Sequence, residues 1–316
     1  MLRPLPDMAE ARSTLAEDRS VSPAGGEPWA FERAVKDHAV EEAIDLHWHR
    51  RLAFALFVKP LENVDPRVRP TPTQITIASL VVGALAGGAY WQAGEHGVHW
   101  YAIGTALLVL SIALDCADGM LARLTKTTSE FGLILDGFVD FVVGVAIVVG
   151  LGHSALLALP EWWALPSVVV LFLSIMAHVA YYDHVKNIFA RLCVPKSERP
   201  PAKRPHGTGV FAVSAAFMYN TFYGGASRVI CGPDIEHLDH VEHDVARREL
   251  MPMMRNASWL GVGLHFFVMY TAALAAIFVP HATFIIAHAV LTVGLSAWMI
   301  VTVVTQRRAA RRLRFG

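Results

Sequence analysis

Charge is scarce in this sequence of 316 residues: Asp, Glu, Lys and Arg together make up 17%, against about 25% in an ordinary soluble domain. Neither sign dominates, since 27 Lys and Arg face 27 Asp and Glu. That balance excludes a strongly basic nucleic-acid binder and an acidic disordered chain. Cysteine is scarce too. Cys116, Cys193 and Cys231 are odd in number and show no pairing pattern, which excludes a disulfide framework. The first residues lack the apolar core of about 7–15 residues that a cleavable signal requires, so none is predicted. The apolar stretches lack period-two alternation, which argues against strands.

What the chain has instead is length without charge. Hydrophobic residues make up 54%, and six apolar runs fall at about 73–93, 99–121, 131–152, 162–185, 257–280 and 283–304. Each is close to the ~20 residues that cross a ~30 Å hydrocarbon core at 1.5 Å rise per residue. Backbone groups in hydrocarbon must be satisfied within the segment, so helices are predicted. All 27 Lys and Arg lie on one side of the resulting path, and the short loops at 93–98, 153–161 and 280–282 have none. The positive-inside rule then puts both termini, the 122–130 loop and the 186–256 segment in the cytoplasm.

The expected fold is an all-α integral membrane protein with six transmembrane helices and an N-terminal interfacial amphipathic helix. Residues 1–44 are polar and read as a mobile cytoplasmic tail. Residues 45–70 contain the interfacial helix and a linker, because His47, His49, Arg50, Arg51 and Lys59 alternate with Leu46, Trp48, Leu52, Phe54, Leu56 and Phe57. Residues 71–306 form the six-span catalytic domain, interrupted by the cytoplasmic segment 186–256. Within it, 195–205 reads as a basic loop and 209–223 as an interfacial or re-entrant helix. Residues 307–316 form a basic tail suited to anionic headgroups. Gly83 and Gly87, in a G-x-x-x-G spacing, offer a close-packing face for an internal contact or a dimer.

Carboxylates inside membrane spans are costly and mark function by default. Four occur together: Asp115 and Asp118 end the second span at i and i+3, and Asp136 and Asp140 begin the third at i and i+4. Each pair shares a helix face, and a short loop joins the two spans, so all four converge at the cytoplasmic end. Four such charges repel unless a divalent cation neutralises them. All-oxygen ligation suits Mg²⁺, Mn²⁺ or Ca²⁺ over Zn²⁺, and four carboxylates suit two ions better than one. Gly119 and Gly132 leave room for a close approach. Arg123 offers a fork matched to phosphate, and Thr127 and Ser129 offer hydroxyl donors. Together these describe a phosphoanhydride site. The competing readings are a buried ion-pair cluster and the pathway of a cation transporter, which would spread its acidic groups through the membrane depth.

Residues 115–140 resemble the signature of the CDP-alcohol phosphotransferase family, D-x₂-D-G-x₂-A-R-x₈-G-x₃-D-x₃-D, at every fixed position and spacing. Pro72-Thr73-Gln74-Ile75-Thr76 resembles the family's Pro-Asn-x-x-Thr, with Thr73 in place of Asn. The resemblance implies that Asp115, Asp118 and Asp136 hold Mg²⁺ or Mn²⁺, expected as two ions, against the diphosphate of a CDP-linked donor. Asp140 would act as general base with a metal contact of its own. Gly119, Ala122, Arg123, Ser129 and Thr76 would border the nucleotide and its phosphates. The implied reaction moves a phosphatidyl group from CDP-diacylglycerol to a small polar alcohol and releases CMP, in phospholipid synthesis at the cytoplasmic face. A CDP-choline or CDP-ethanolamine type enzyme acting on a lipid alcohol shares the motif. Expected partners are donor, alcohol, membrane lipids and a second copy in a homodimer, with no nucleic acid.

Three further groups carry weaker expectations. Tyr182, Lys186 and Arg191, at the cytoplasmic end of the fourth span, suit either an acceptor pocket or interfacial anchoring. His237, His240 and His243 fit a solvated helix better than a metal site, because no fourth ligand stands beside them. Cys116 reads as a small packing residue.

Overall fold

The computed structural model describes residues 28–35, 47–157, 161–193, 242–279 and 282–315. Among them no strand occurs, and six helices are long and apolar enough to cross a membrane. The rest of the expected tail, the basic loop at 195–205, the run at 209–223, Cys231, His237 and His240 lie outside the described residues.

The chain opens with a short helical turn, α1 (Phe31–Ala34), and then α2 (His47–Ala53), which continues through a wider π turn to Val58 and a 3₁₀ stretch to Asn63. Residues 47–63 are therefore helical. Their buried face meets protein: Ala53 and Val58 pack with Ala34, Ile75, Ala113, Ala117, Met120 and Leu121. His49 is buried, with its ring edge-on to Tyr270. Burial lowers the His49 pKa from 6.5 to about 4.

Three membrane-length helices follow: α3 (Pro72–His96), α4 (His99–Leu124) and α5 (Glu130–Leu156). A reciprocal capping box starts α3. Gln74 N–H donates to the Thr71 hydroxyl at 3.3 Å, and Thr71 N–H donates to Gln74 Oε1 at 2.9 Å, with Pro72 at the first helical position. Gly97 ends it with φ of 109°, a left-handed conformation that favours glycine. Small residues and backbone-directed hydroxyls bring the three helices together, as expected where the solvent is as apolar as the side chains. A Cβ on Gly83 would stand 2.5 Å from Val143, and one on Gly87 would stand 2.5 Å from the Ala146 carbonyl oxygen. The G-x-x-x-G face thus serves the internal contact between α3 and α5. Ser111 Oγ donates to the Ser79 carbonyl at 2.8 Å, joining α4 to α3, and Ser154 Oγ donates to the Tyr90 carbonyl at 2.5 Å, joining α5 to α3.

The second half comprises α6 (Glu161–Cys193), α7 (His243–Ala257), α8 (Val262–Ala276), the short α9 (Ala282–Ile286), which runs into a π-helical stretch at Ala287–Gly294, and α10 (Leu295–Phe315). Here the boundaries differ from those expected. The fifth membrane-length element runs over His243–Ala276, reaching into the expected cytoplasmic segment. The cause is α7, whose residues are polar on average but bury Ala246, Leu250, Met253, Met254 and Ala257 at helical spacing. The expected basic tail likewise continues α10, where Arg312 lies 3.4 Å from Glu249 of α7. His243 donates through Nδ1 to the Leu192 carbonyl at 2.6 Å, so it ties α7 to α6.

A neutral hydrogen-bond chain crosses this half. His265 Nδ1–H donates to the Gly261 carbonyl at 2.8 Å, which leaves Nε2 as acceptor for His178 Nδ1–H at 3.3 Å. His178 Nε2 then accepts from Ser296 at 3.1 Å. One carbonyl thus fixes both tautomers.

Candidate functional site

The site forms where α4 ends and α5 begins. The turn between them is tight. Thr125 N–H donates to the Leu121 carbonyl at 2.9 Å, Lys126 takes φ of 56°, and Thr127 N–H donates to the Ala122 carbonyl at 2.9 Å. Ser129 then caps α5, its hydroxyl accepting from Gly132 N–H at 3.0 Å. A Cβ on Gly132 would stand 3.2 Å from that hydroxyl, so the motif glycine accommodates the cap.

This hairpin gathers Asp115, Asp118 and Asp136, each offering an oxygen within 4.8 Å of the others. Asp140 lies one helical turn beyond Asp136 on α5 and is not part of that trio. Asp118 is buried and accepts a hydrogen bond from Thr76 of α3. Asp115 Oδ1 is buried with no hydrogen-bond partner. An orphaned buried carboxylate oxygen is costly, and a cation is the natural partner for it. Opposite oxygens around a divalent ion with 2.0–2.6 Å bonds stand about 4–5 Å apart, which matches this spread. The all-oxygen set fits Mg²⁺ or Mn²⁺.

Arg123, on the last turn of α4, lies over Gly119: a Cβ there would come within 3.3 Å of its Nη1. Its Nε donates to the Ala34 carbonyl at 2.6 Å. Ala122 is half-buried beside it. Thr76 serves as a partner of Asp118, and Ser129 serves as the cap of α5. Both hydroxyls thus have partners within the protein frame. Tyr182 is buried on α6, with the Lys186 ammonium 5.6 Å from its ring centre. Arg191 is half-buried further along the same helix.

One part of the site has no counterpart in the sequence reading. Residues 28–35 fall in the stretch expected to be a loose tail, yet they dock beside the motif. Trp29 N–H donates to Glu62 Oε1 at 2.7 Å, and Lys59 Nζ donates to the Trp29 carbonyl at 2.8 Å. Lys59 and Glu62 pair at 2.5 Å. Lys59, followed by the Trp29 N–H, holds the Glu62 carboxyl below its ordinary range. The Arg69 guanidinium lies over Trp29 at 4.8 Å, and Phe31 meets Phe54 edge-on at 5.7 Å. The available signal was two aromatics, Trp29 and Phe31, in an otherwise polar stretch.

Comparison with known proteins bears on the same region. A family model described as CDP-alcohol phosphatidyltransferase matches residues 70–231, which include Thr76 and the whole Asp motif. A Cereibacter sphaeroides protein named CDP-diacylglycerol--glycerol-3-phosphate 3-phosphatidyltransferase is 38% identical over 74 residues, 23% of this chain and 31% of that protein. A Mycobacterium tuberculosis protein, provisionally named a cardiolipin synthase, is 33% identical over 99 residues, 31% of this chain and 43% of its own length. The chain thus spans less than half the length of these curated relatives. No solved structure matches it.

Proposed function

The chain belongs to the CDP-alcohol phosphatidyltransferase family, and on that premise we propose that it transfers a phosphatidyl group from CDP-diacylglycerol to the hydroxyl of a small polar alcohol, releasing CMP. The observation that carries the reading is the trio of carboxylates at one end of a helical hairpin, with Arg123 on one side and Asp140 one turn deeper. The lipid-linked donor is favoured because the name of the Cereibacter relative specifies it.

Asp115, Asp118 and Asp136 would hold one or two divalent cations. Bound there, such ions supply charge neutralisation and Lewis-acid polarisation of the donor diphosphate. The chain's own residues do the rest. Thr76 fixes the orientation of Asp118 through its hydroxyl. Arg123 presents a cationic fork to the phosphates. Gly119 and Ala122 keep side-chain bulk away from the nucleotide. Asp140 accepts the proton of the acceptor hydroxyl, since an alcohol with a pKa far above 7 is a poor nucleophile unaided. The alcohol oxygen forms a bond to the lipid-side phosphorus, and the bond from that phosphorus to the bridging oxygen breaks. The electron pair leaves with CMP, and the proton passes through Asp140 to solvent.

The reading places the site and both termini on the cytoplasmic side, because every Lys and Arg of the sequence falls on that side of the six-span path. Lys186 and Arg191 would draw an anionic acceptor towards it, with Tyr182 beneath Lys186. A homodimer would use a face other than Gly83 and Gly87, which contact α5.

The test is CMP release by the purified chain from radiolabelled CDP-diacylglycerol across a panel of polar alcohols, with and without chelator. Metal-dependent CMP release with one alcohol supports the reading. Release from CDP-choline with diacylglycerol, and none from CDP-diacylglycerol, would replace it with the reverse partition.

A further inference from the structure

Arg123 is the motif's phosphate fork, yet one of its donors is taken from outside the motif, by a carbonyl 89 residues earlier in the chain. That carbonyl belongs to Ala34, which is fully buried among Ala117, Met120 and Leu121 of α4. The segment bearing it is fixed at its other end as well. Glu62 and Lys59 grip the backbone N–H and C=O of Trp29 from one short turn. Arg69 covers the Trp29 ring while its Nη2 donates to the Val64 carbonyl at 2.9 Å, and Phe31 sits between Phe54 and the Arg51 guanidinium. Five side chains from residues 51–69 thus hold a strap of eight residues whose far end touches the catalytic motif.

An arginine side chain has several free torsions, and fixing them costs entropy each time a ligand binds. A hydrogen bond at Nε removes the torsions up to the guanidinium and leaves both terminal nitrogens for a ligand. We propose that residues 28–35 are a positioning strap for Arg123, and that Trp29 and Phe31 act on donor binding through it without touching the donor. The inference rests on the functional reading above, in which Arg123 binds the donor phosphates.

The experiment compares Phe31→Ala, Glu62→Ala and Glu62→Gln in the full-length protein, alone and combined with Arg123→Ala. Three quantities are read: KM for CDP-diacylglycerol, kcat, and the rate of tryptic cleavage after Arg33, followed by mass spectrometry. Phe31→Ala and Glu62→Ala should speed cleavage after Arg33 and raise donor KM about tenfold, the size of one hydrogen bond to a charged group, with kcat changed less than about twofold. Glu62→Gln keeps an acceptor for the Trp29 N–H and should restore most of the donor affinity. In the Arg123→Ala background, Phe31→Ala should leave KM where Arg123→Ala alone puts it. Faster cleavage after Arg33 with unchanged donor KM would overturn the inference and leave the functional reading intact. So would independent, multiplying effects of Phe31→Ala and Arg123→Ala. A wild-type chain that releases no CMP from any CDP-linked donor overturns the functional reading and the inference together.

Discussion

Replacing Gly87 with Ala tests whether α3 and α5 are as close as they look. The added methyl would stand 2.5 Å from the Ala146 carbonyl oxygen and 2.7 Å from its carbon. Both atoms are backbone, so no rotamer change relieves the contact. To reach ordinary van der Waals distance the helices must part by about 0.9 Å. Gly150 faces the same seam, where a Cβ would collide with the Gly87 carbonyl oxygen. Overpacking of this kind costs about 1–3 kcal/mol. Removing a helix-interior glycine returns up to ~1 kcal/mol of backbone entropy. Gly88 supplies the control, because a Cβ there meets nothing within 4 Å. Gly88→Ala should therefore be neutral or stabilising by up to ~1 kcal/mol. The difference between neighbouring substitutions is expected to be about 1–3 kcal/mol in favour of Gly88→Ala. Thermal unfolding in detergent micelles measures the order directly. Activity should follow it, because α5 carries Asp136 and Asp140. Equal melting points for the two variants would show that α3 and α5 do not meet at Gly87.

Four other outcomes are expected. Thr76→Val removes the hydroxyl that holds Asp118 and should cost about 10–100-fold in metal affinity or turnover, with Thr76→Ser retaining most of both in a metal titration of CMP release. Asp140→Asn should lower kcat by about 10²–10⁴-fold and leave donor affinity far less changed, whereas near-normal turnover would remove Asp140 from the role of base. Single cysteines placed near residues 10 and 314 should react with an impermeant thiol reagent only from the cytoplasmic side of sealed vesicles. His49 is held neutral by burial, with its pKa lowered from 6.5 to about 4; its contribution to stability is complete above pH ~6.5 and is lost as pH falls towards ~4, so hydrogen exchange over residues 47–58 should quicken in that window and be flattened by His49→Leu.

The membrane helices were legible because hydrocarbon imposes one rule on every residue of a span, and the rule acts within about 20 consecutive positions. The carboxylate hairpin was legible for a related reason: Asp115, Asp118 and Asp136 lie on two spans joined by a short turn, so sequence distance and spatial distance nearly coincide. The roles of hydroxyls were less legible. Ser129 and Thr76 are the right residue types to bind phosphate, but serine also caps helices and threonine also buttresses carboxylates. The structure shows them in those second ways, and their part at the phosphates belongs to the proposed function. Helix α7 escaped for an energetic reason. Its exposed Asp244, Arg247, Arg248 and Arg255 side chains mask, in any average, the apolar face at Ala246, Leu250 and Met253.

The strap marks where reading from sequence gives out. Trp29 and Phe31 sit in a stretch with no periodicity of either the helical or the strand kind, so nothing local says which surface they cover. Their partners come from residues 51–69, and the carbonyl at the end of the segment finds Arg123 across 89 positions. Such a contact is set by where α2 and α4 bring their faces together, a property of the assembled helices rather than of any window of the chain. The proposed function makes Arg123 a phosphate ligand and leaves its Nε unspecified. What fills that position here comes from a segment outside the family match, which begins at residue 70. On the proposed reading the chemistry belongs to the shared motif, and the stiffness of its cationic fork comes from residues 28–35, which lie outside the matched region.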